Sequence, residues 1–349
     1  MRISRAARNL GLGLGMACVA TMGVLIAATE PPPPWAYGFT APPSEQTTAP
    51  PAAAPVKDDG TQRHLPGSTL SFTLTQIRDN AGPADWYPND HPPMPPIVAH
   101  GRKEAMVYAC SLCHYPNGKG RPENAGVAGL PDDYFIQTMH DFKNGLRKSS
   151  DARKANTNLM INFAKAMSDD EIKAAAEYFG SMKWTPWIHV METNSVPKTR
   201  TAGGMFLRVE GNDKEPLGKR VIETPENVEG TELLRDSHSG FIAYVPPGSV
   251  KRGESLVTTG GGGKTIACGT CHGADLQGLG PVPGLAGRSP SYLARQLYDM
   301  QQGNRHGVWT ELMKPVVAKL TADDMVAIVA YTASRPVGAD RKEVTRASR

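Results

Sequence analysis

Two short stretches of this chain hold residue types that could do chemistry together: Cys110-Ser111-Leu112-Cys113-His114 and Cys268-Gly269-Thr270-Cys271-His272. Each places two thiols three positions apart with an imidazole directly behind them, and the two copies lie 158 residues apart. Thiols at this spacing can add to the two vinyl groups of one porphyrin while the adjacent imidazole reaches the iron, the pattern of c-type haem attachment. A structural zinc site would need its ligand pairs brought together, and here they sit in separate repeats. A thioredoxin-like redox pair leaves both the following histidine and the duplication unexplained. The remaining cysteine of the five, Cys18, falls in an apolar N-terminal run, so no disulfide framework can be built. The chemistry expected is two covalently bound haem c groups, on Cys110 and Cys113 and on Cys268 and Cys271, with His114 and His272 on the irons.

The elements that must position these groups are themselves duplicated, over about 98–184 and 248–336. The segment YFIQTMHDFKNGLR (134–147) aligns without a gap on YLARQLYDMQQGNR (292–305). Further on, MSDDEIKAAAEYFGS (167–181) lies over LTADDMVAIVAYTAS (320–334), each with a Ser or Thr cap followed by acids in the first turn. Each copy is therefore predicted to be mostly helical: one helix into the motif, a middle helix and a capped closing helix. Met139, Met167, Met300 and Met325 align with Leu297, Leu320, Phe142 and Ile172 and behave as replaceable apolar residues. Met160 and Met313 align with each other, both eight residues before the capping Ser168 or Thr321.

On these residues the chain resembles the dihaem bacterial cytochromes of the c-four type, two class I cytochrome c domains in tandem. The resemblance covers roughly half the chain. It implies a mainly α fold, two tandem cytochrome domains with a β-rich linker between them, and axial ligation by His114 and Met160 in one domain and His272 and Met313 in the other. It further implies that a carbonyl in a Pro-x-Leu stretch accepts the proximal histidine's Nδ1–H: Pro283 in the second copy, and Ala128 of Ala128-Gly129-Leu130 in the first. That difference predicts unequal reduction potentials. Gly101 and Gly253, in the helices leading to the motifs, are expected to admit Tyr178 and Tyr331 of the closing helices. The implied role is electron carriage and not enzymatic turnover. Alternatives are a dihaem peroxidase or the cytochrome subunit of a membrane-anchored dehydrogenase.

The other segments are read from composition. Arg2, Arg5 and Arg8 precede a charge-free run, so 1–29 is expected to be an export signal or N-terminal membrane anchor, placing the protein in the periplasm, tethered through 10–28 if the anchor is kept. Residues 30–66, dense in Pro and Ala, read as an extended tether. Within a wrap over 67–97, alternation of Leu70, Phe72 and Leu74 predicts a strand at 68–75. The 185–247 linker shows β-type runs in 204–224 and 240–245, and 337–349 is a polar tail. The three arginines supply most of the formal charge of +4, so nucleic acid is not an expected partner. Expected partners are redox proteins, with a quinol-oxidising complex or dehydrogenase as donor and a terminal oxidase as acceptor, together with a membrane.

Overall fold

The structure, a computed structural model, describes residues 30–46 and 56–338. The signal or anchor expected over 1–29 and the tail from 339 lie outside them.

In the first copy a short α3 (Pro96–Ala99) and a 3-10 turn (Lys103–Ala105) precede α4 (Cys110–His114), followed by α5 (Asp132–Lys143), α6 (Ala155–Ala166) and α7 (Asp169–Gly180). The second copy has α9 (Ser249–Thr259), α10 (Gly269–His272), α11 (Pro290–Gln301), a 3-10 turn (Val308–Met313) running into α12 (Lys314–Val317), and α13 (Ala322–Ala333). The closing helices start where their caps dictate. Ser168 and Glu171, like Thr321 and Asp324, satisfy each other's backbone N–H groups in capping boxes.

The leading helices differ between copies. In the second, α9 crosses α13 at Gly253, where an added Cβ would lie 2.0 Å from the Ala327 carbonyl oxygen and 2.7 Å from the Tyr331 Cβ. In the first, α3 ends before Gly101, which adopts φ 64° and faces the backbone of Val107 and Tyr108. Gly101 therefore makes a turn and does not admit Tyr178, correcting that expectation. The cause is local: the prolines around Pro96 leave room for one helical turn only.

Seven strands lie between the copies: β1 (Ile188–Glu192), β2 (Ser195–Pro197), β3 (Thr199–Ala202), β4 (Met205–Arg208), β5 (Lys214–Pro216), β6 (Ile222–Pro225) and β7 (Phe241–Val245), with a helical turn α8 (Val228–Glu232) before the last. They form a sheet ordered β1-β7-β6, with β1 parallel and β6 antiparallel to β7, and two antiparallel pairs, β2-β5 and β3-β4. The run 204–224 is thus divided among three sheets. Gly203 and Gly204, both at positive φ, fold β4 back on β3 as a two-residue hairpin.

Two segments depart from expectation. Residues 68–75 form no strand: Arg63 and Phe72 make one isolated bridge, and α2 (Leu74–Ile77) begins after Thr73, whose capping box with Gln76 outcompetes the alternation. The 30–66 segment is not a free tether at its start. Helix α1 (Pro34–Tyr37) buries Trp35, Ala36 and Tyr37 in the core of the second copy, because a Trp and a Tyr flanked by rigid prolines offer large apolar area at low entropic cost.

The described residues from Pro32 onward gather into one compact unit. The copies meet where the ends of α5 and α11 pair antiparallel at Arg147 and Arg305. There Arg147 donates to the Tyr292 hydroxyl (3.0 Å) and Arg305 to the Tyr134 hydroxyl (2.8 Å), a reciprocal exchange, and both also donate to Gln296.

Candidate cofactor site

In the first copy α4 is little more than the motif, and one helical turn puts the Cys110 and Cys113 thiols on one face. Both cysteines are unpaired, and burial pushes the Cys110 thiol up to about 12. His114 closes the turn. Its Nδ1 lies 2.8 Å from the Ala125 carbonyl, which can only accept, so Nδ1 carries the proton and Nε2 keeps its lone pair. Burial holds the imidazole below its ordinary pKa and hence neutral, outweighing the Ala125 bond. Cys110, Cys113, His114 and Met160 all line one cleft of about 1300 Å³ including its open mouth, ample for a cofactor. Val127, Phe135, Met139, Phe142 and Phe179 supply apolar walls.

Charged residues of both signs also line this cleft, Arg147, Lys154 and Arg295 with Glu123 and Asp299. Arg147 and Lys154 meet α11 of the second copy through Tyr292 and Arg295. The Lys154 Nζ is buried with no hydrogen-bond partner, and burial, then Arg295, drive its pKa well below the usual lysine value. Glu123 and Asp151 act on it in the opposite sense, so what the site leaves open at Lys154 is a hydrogen-bond partner.

The second copy repeats the loop almost atom for atom. Gly120 N–H donates to the His114 carbonyl and Gly278 N–H to the His272 carbonyl, both at 2.8 Å. The Val127 and Ala128 N–H groups converge on the Gly118 carbonyl, as those of Leu285 and Ala286 do on Leu276. The His272 Nδ1 lies 2.7 Å from the Pro283 carbonyl, and burial again lowers the imidazole pKa. The acceptor in the first copy is therefore Ala125 and not Ala128, which corrects the earlier reading. Both acceptors follow their histidine by eleven positions, and a count from each histidine finds Ala125 where matching Pro-Gly-Leu to Ala-Gly-Leu does not. Cys268 and Met313 pack, partly buried, against the second copy's core, while Cys271, Val308 and Leu312 are exposed.

Residues 98–183 match the Cytochrome c family. Cytochrome c4 of Pseudomonas aeruginosa is 25% identical over 242 residues, covering 67% of this chain and 86% of that protein. Cytochrome c-554(548) of Halomonas halodenitrificans is 38% identical over 73 residues, 21% of this chain and 88% of that protein. The chain belongs to the cytochrome c family. A third relative, the cytochrome subunit of sulfide dehydrogenase from Chlorobaculum tepidum, is 31% identical over 85 residues, 24% of this cytochrome and 70% of that protein.

This cytochrome's chemistry is electron transfer at covalently bound haem c, and the first copy's cleft fits that group on its own terms. Unpaired thiols, a neutral imidazole and a thioether line it together, much of the wall is apolar, and the Lys154 Nζ among the lining residues has no hydrogen-bond partner. Among the described residues no group of three His, Cys, Asp or Glu side chains is arranged to hold a bare metal ion. Among the remaining described histidines, His91 meets Asp85, His140 meets Asp169, His189 meets Glu226 and His238 meets Asp90. Lys154 and Arg295 escaped the sequence reading because nothing local marks the cation before α6 or the one inside α11 until the other copy is placed against it.

Proposed function

We propose that this cytochrome carries two haem c groups, one on Cys110 and Cys113 between His114 and Met160, the other on Cys268 and Cys271 between His272 and Met313. The observation that carries this is the convergence of Cys110, Cys113, His114 and Met160 on one largely apolar cleft, with Lys154, lacking a hydrogen-bond partner, among its lining residues. Haem c, when bound, supplies a one-electron couple at iron. The chain's residues do the rest. The thiols hold the porphyrin edge, and Ala125 and Pro283 fix each imidazole's tautomer and aim. Met160 and Met313 would serve as the second protein ligands of the irons, which would favour electron exchange over peroxide chemistry, and the apolar walls would exclude water and raise the potential. Lys154 and Arg147 would balance propionate charge.

The same reading makes the protein a periplasmic carrier, exported by the segment before residue 30 and docking redox partners. The relative named as a subunit of sulfide dehydrogenase supports a dehydrogenase as one class of donor. The test is spectral. Replacing Met160 or Met313 with Ala removes the methionine-to-iron charge-transfer band of one haem each and opens that iron to carbon monoxide. Survival of both bands in the double variant overturns the ligand assignment.

A further inference from the structure

Each histidine acceptor is followed by a peptide whose carbonyl meets the same side chain. In the first copy Ala125 accepts from His114, and the next residue, Gly126, offers its carbonyl to Arg288 Nη1 at 2.8 Å. In the second copy Pro283 accepts from His272, and the next residue, Gly284, offers its carbonyl to Arg288 Nε at 2.9 Å. The third nitrogen, Nη2, donates to the Ala128 carbonyl at 3.0 Å. One buried guanidinium thus holds both proximal loops, and its planar fork spends three donors on three backbone carbonyls.

The joint has a second half. Trp184, from the end of the first copy, lies under the guanidinium, with the Arg288 Cζ 4.4 Å from its ring centroid. The indole also touches both loops: a Cβ added at Gly126 would meet the ring at 2.6 Å, and one added at Gly287 would meet its Nε1 at 3.4 Å. The arrangement is not a relic of the repeat, since the position matching Arg288 in the first copy is Leu130. Among the described residues no carboxylate pairs with Arg288, so its charge is met by carbonyl dipoles and the Trp184 ring. A buried cation left unneutralised beside two redox centres acts on both.

We propose that Arg288 is a positioning residue shared by the two haem sites, fixing the peptide beside each proximal-histidine acceptor and setting both reduction equilibria together. A fixed positive charge favours the reduced, less positive iron, and the fork keeps each Nδ1–H aimed at its carbonyl. The inference rests on the two-haem reading above, and the measurement separates them: fewer than two haems per chain in the wild-type protein counts against that reading, whereas two haems with unmoved potentials counts against Arg288 alone.

The experiment is potentiometric titration of the full haem-loaded protein, as wild type, Arg288→Gln and Arg288→Lys, with haem content checked in each. Arg288→Gln is expected to lower the reduction equilibrium constant of both components about tenfold, about 59 mV for a one-electron couple. Lysine keeps the charge but reaches one carbonyl at a time, so Arg288→Lys recovers only part of that loss. In both variants the Nδ1–H protons of His114 and His272 exchange faster with solvent by NMR, a readout that charge alone would not move. Should Arg288→Gln fail to take up haem, the lysine variant carries the test through its Nδ1–H exchange and its joint displacement of both components. A shift confined to one component, no shift in either, or full recovery by lysine with unchanged exchange overturns the assignment.

Discussion

Asp324 shows how much one side chain can carry. It caps α13 through Thr321, and it pairs with Arg252 and with Lys264, the latter at 2.7 Å, while almost wholly buried. Burial alone would raise its pKa, but the hydrogen bonds from Lys264, Thr321 and Arg252 outweigh that and hold it at about 2. A folded-state pKa below the unfolded one contributes stability that is complete above the ordinary carboxylate range and is lost as pH falls through the folded value. Asp324→Asn should therefore lower the melting temperature by about 3 °C or more at pH 7, and the gap should close between about pH 4 and pH 2. A gap that stays constant across that window would show that shape, not charge, matters at this position. Residues at this scale were legible to different degrees. Cys110, Cys113, His114 and their counterparts are legible because the chemistry proposed for them needs those residue types at that spacing. The carbonyl of Ala125 belongs to the backbone and leaves no mark in residue type, so only register could find it.

At the scale of elements, α7 and α13 follow from caps and spacing because those signals are local, while α5 and α11 follow from the aligned repeat. The 68–75 segment was misread because three alternating apolar residues are weaker evidence than a Thr-x-x-Gln box that ends the extended run. The two glycines near the motifs make the same point in energy. An alanine at Gly253 would drive a methyl into the Ala327 carbonyl and the Tyr331 Cβ, so α9 and α13 must separate. Gly253→Ala is expected to cost about 1–3 kcal/mol of the second copy's stability by denaturant unfolding. Gly101→Ala meets a different penalty, a left-handed backbone at φ 64° crowded by Val107, and its loss belongs to the first copy's motif turn. If Gly253→Ala proves neutral, the close helix crossing does not support the second site.

Across the whole molecule the decisive departure from the sequence reading is α1. A Pro- and Ala-rich stretch reads as a tether because nothing local gives it periodicity, and its partners are distant in sequence, Arg153 112 positions from Ala41 and Asp299 262 from Tyr37. Tyr37 donates to Asp299 at 2.7 Å and packs edge-on against Tyr298, while Arg295 donates to the Ala36 carbonyl and, across the copy boundary, to that of Pro122. Arg153 of the first copy reaches the Ala41 carbonyl at 3.1 Å, so the same segment is held from both sides. It acts as a strap across the repeat, beside the reciprocal Arg147–Tyr292 and Arg305–Tyr134 bonds. A chain so strapped should unfold in one calorimetric transition although its sequence is built of two repeats. Tyr37→Ala leaves a cavity on Tyr298 and removes a partner from buried Asp299, a loss of about 3–5 kcal/mol, and is expected to split that transition in two. Tyr37→Phe removes only the hydroxyl, at about 1 kcal/mol, and should lower the single transition without dividing it. Two transitions in the unaltered protein would show that the strap does not couple the repeats, and one unshifted transition in Tyr37→Ala would show that something else does.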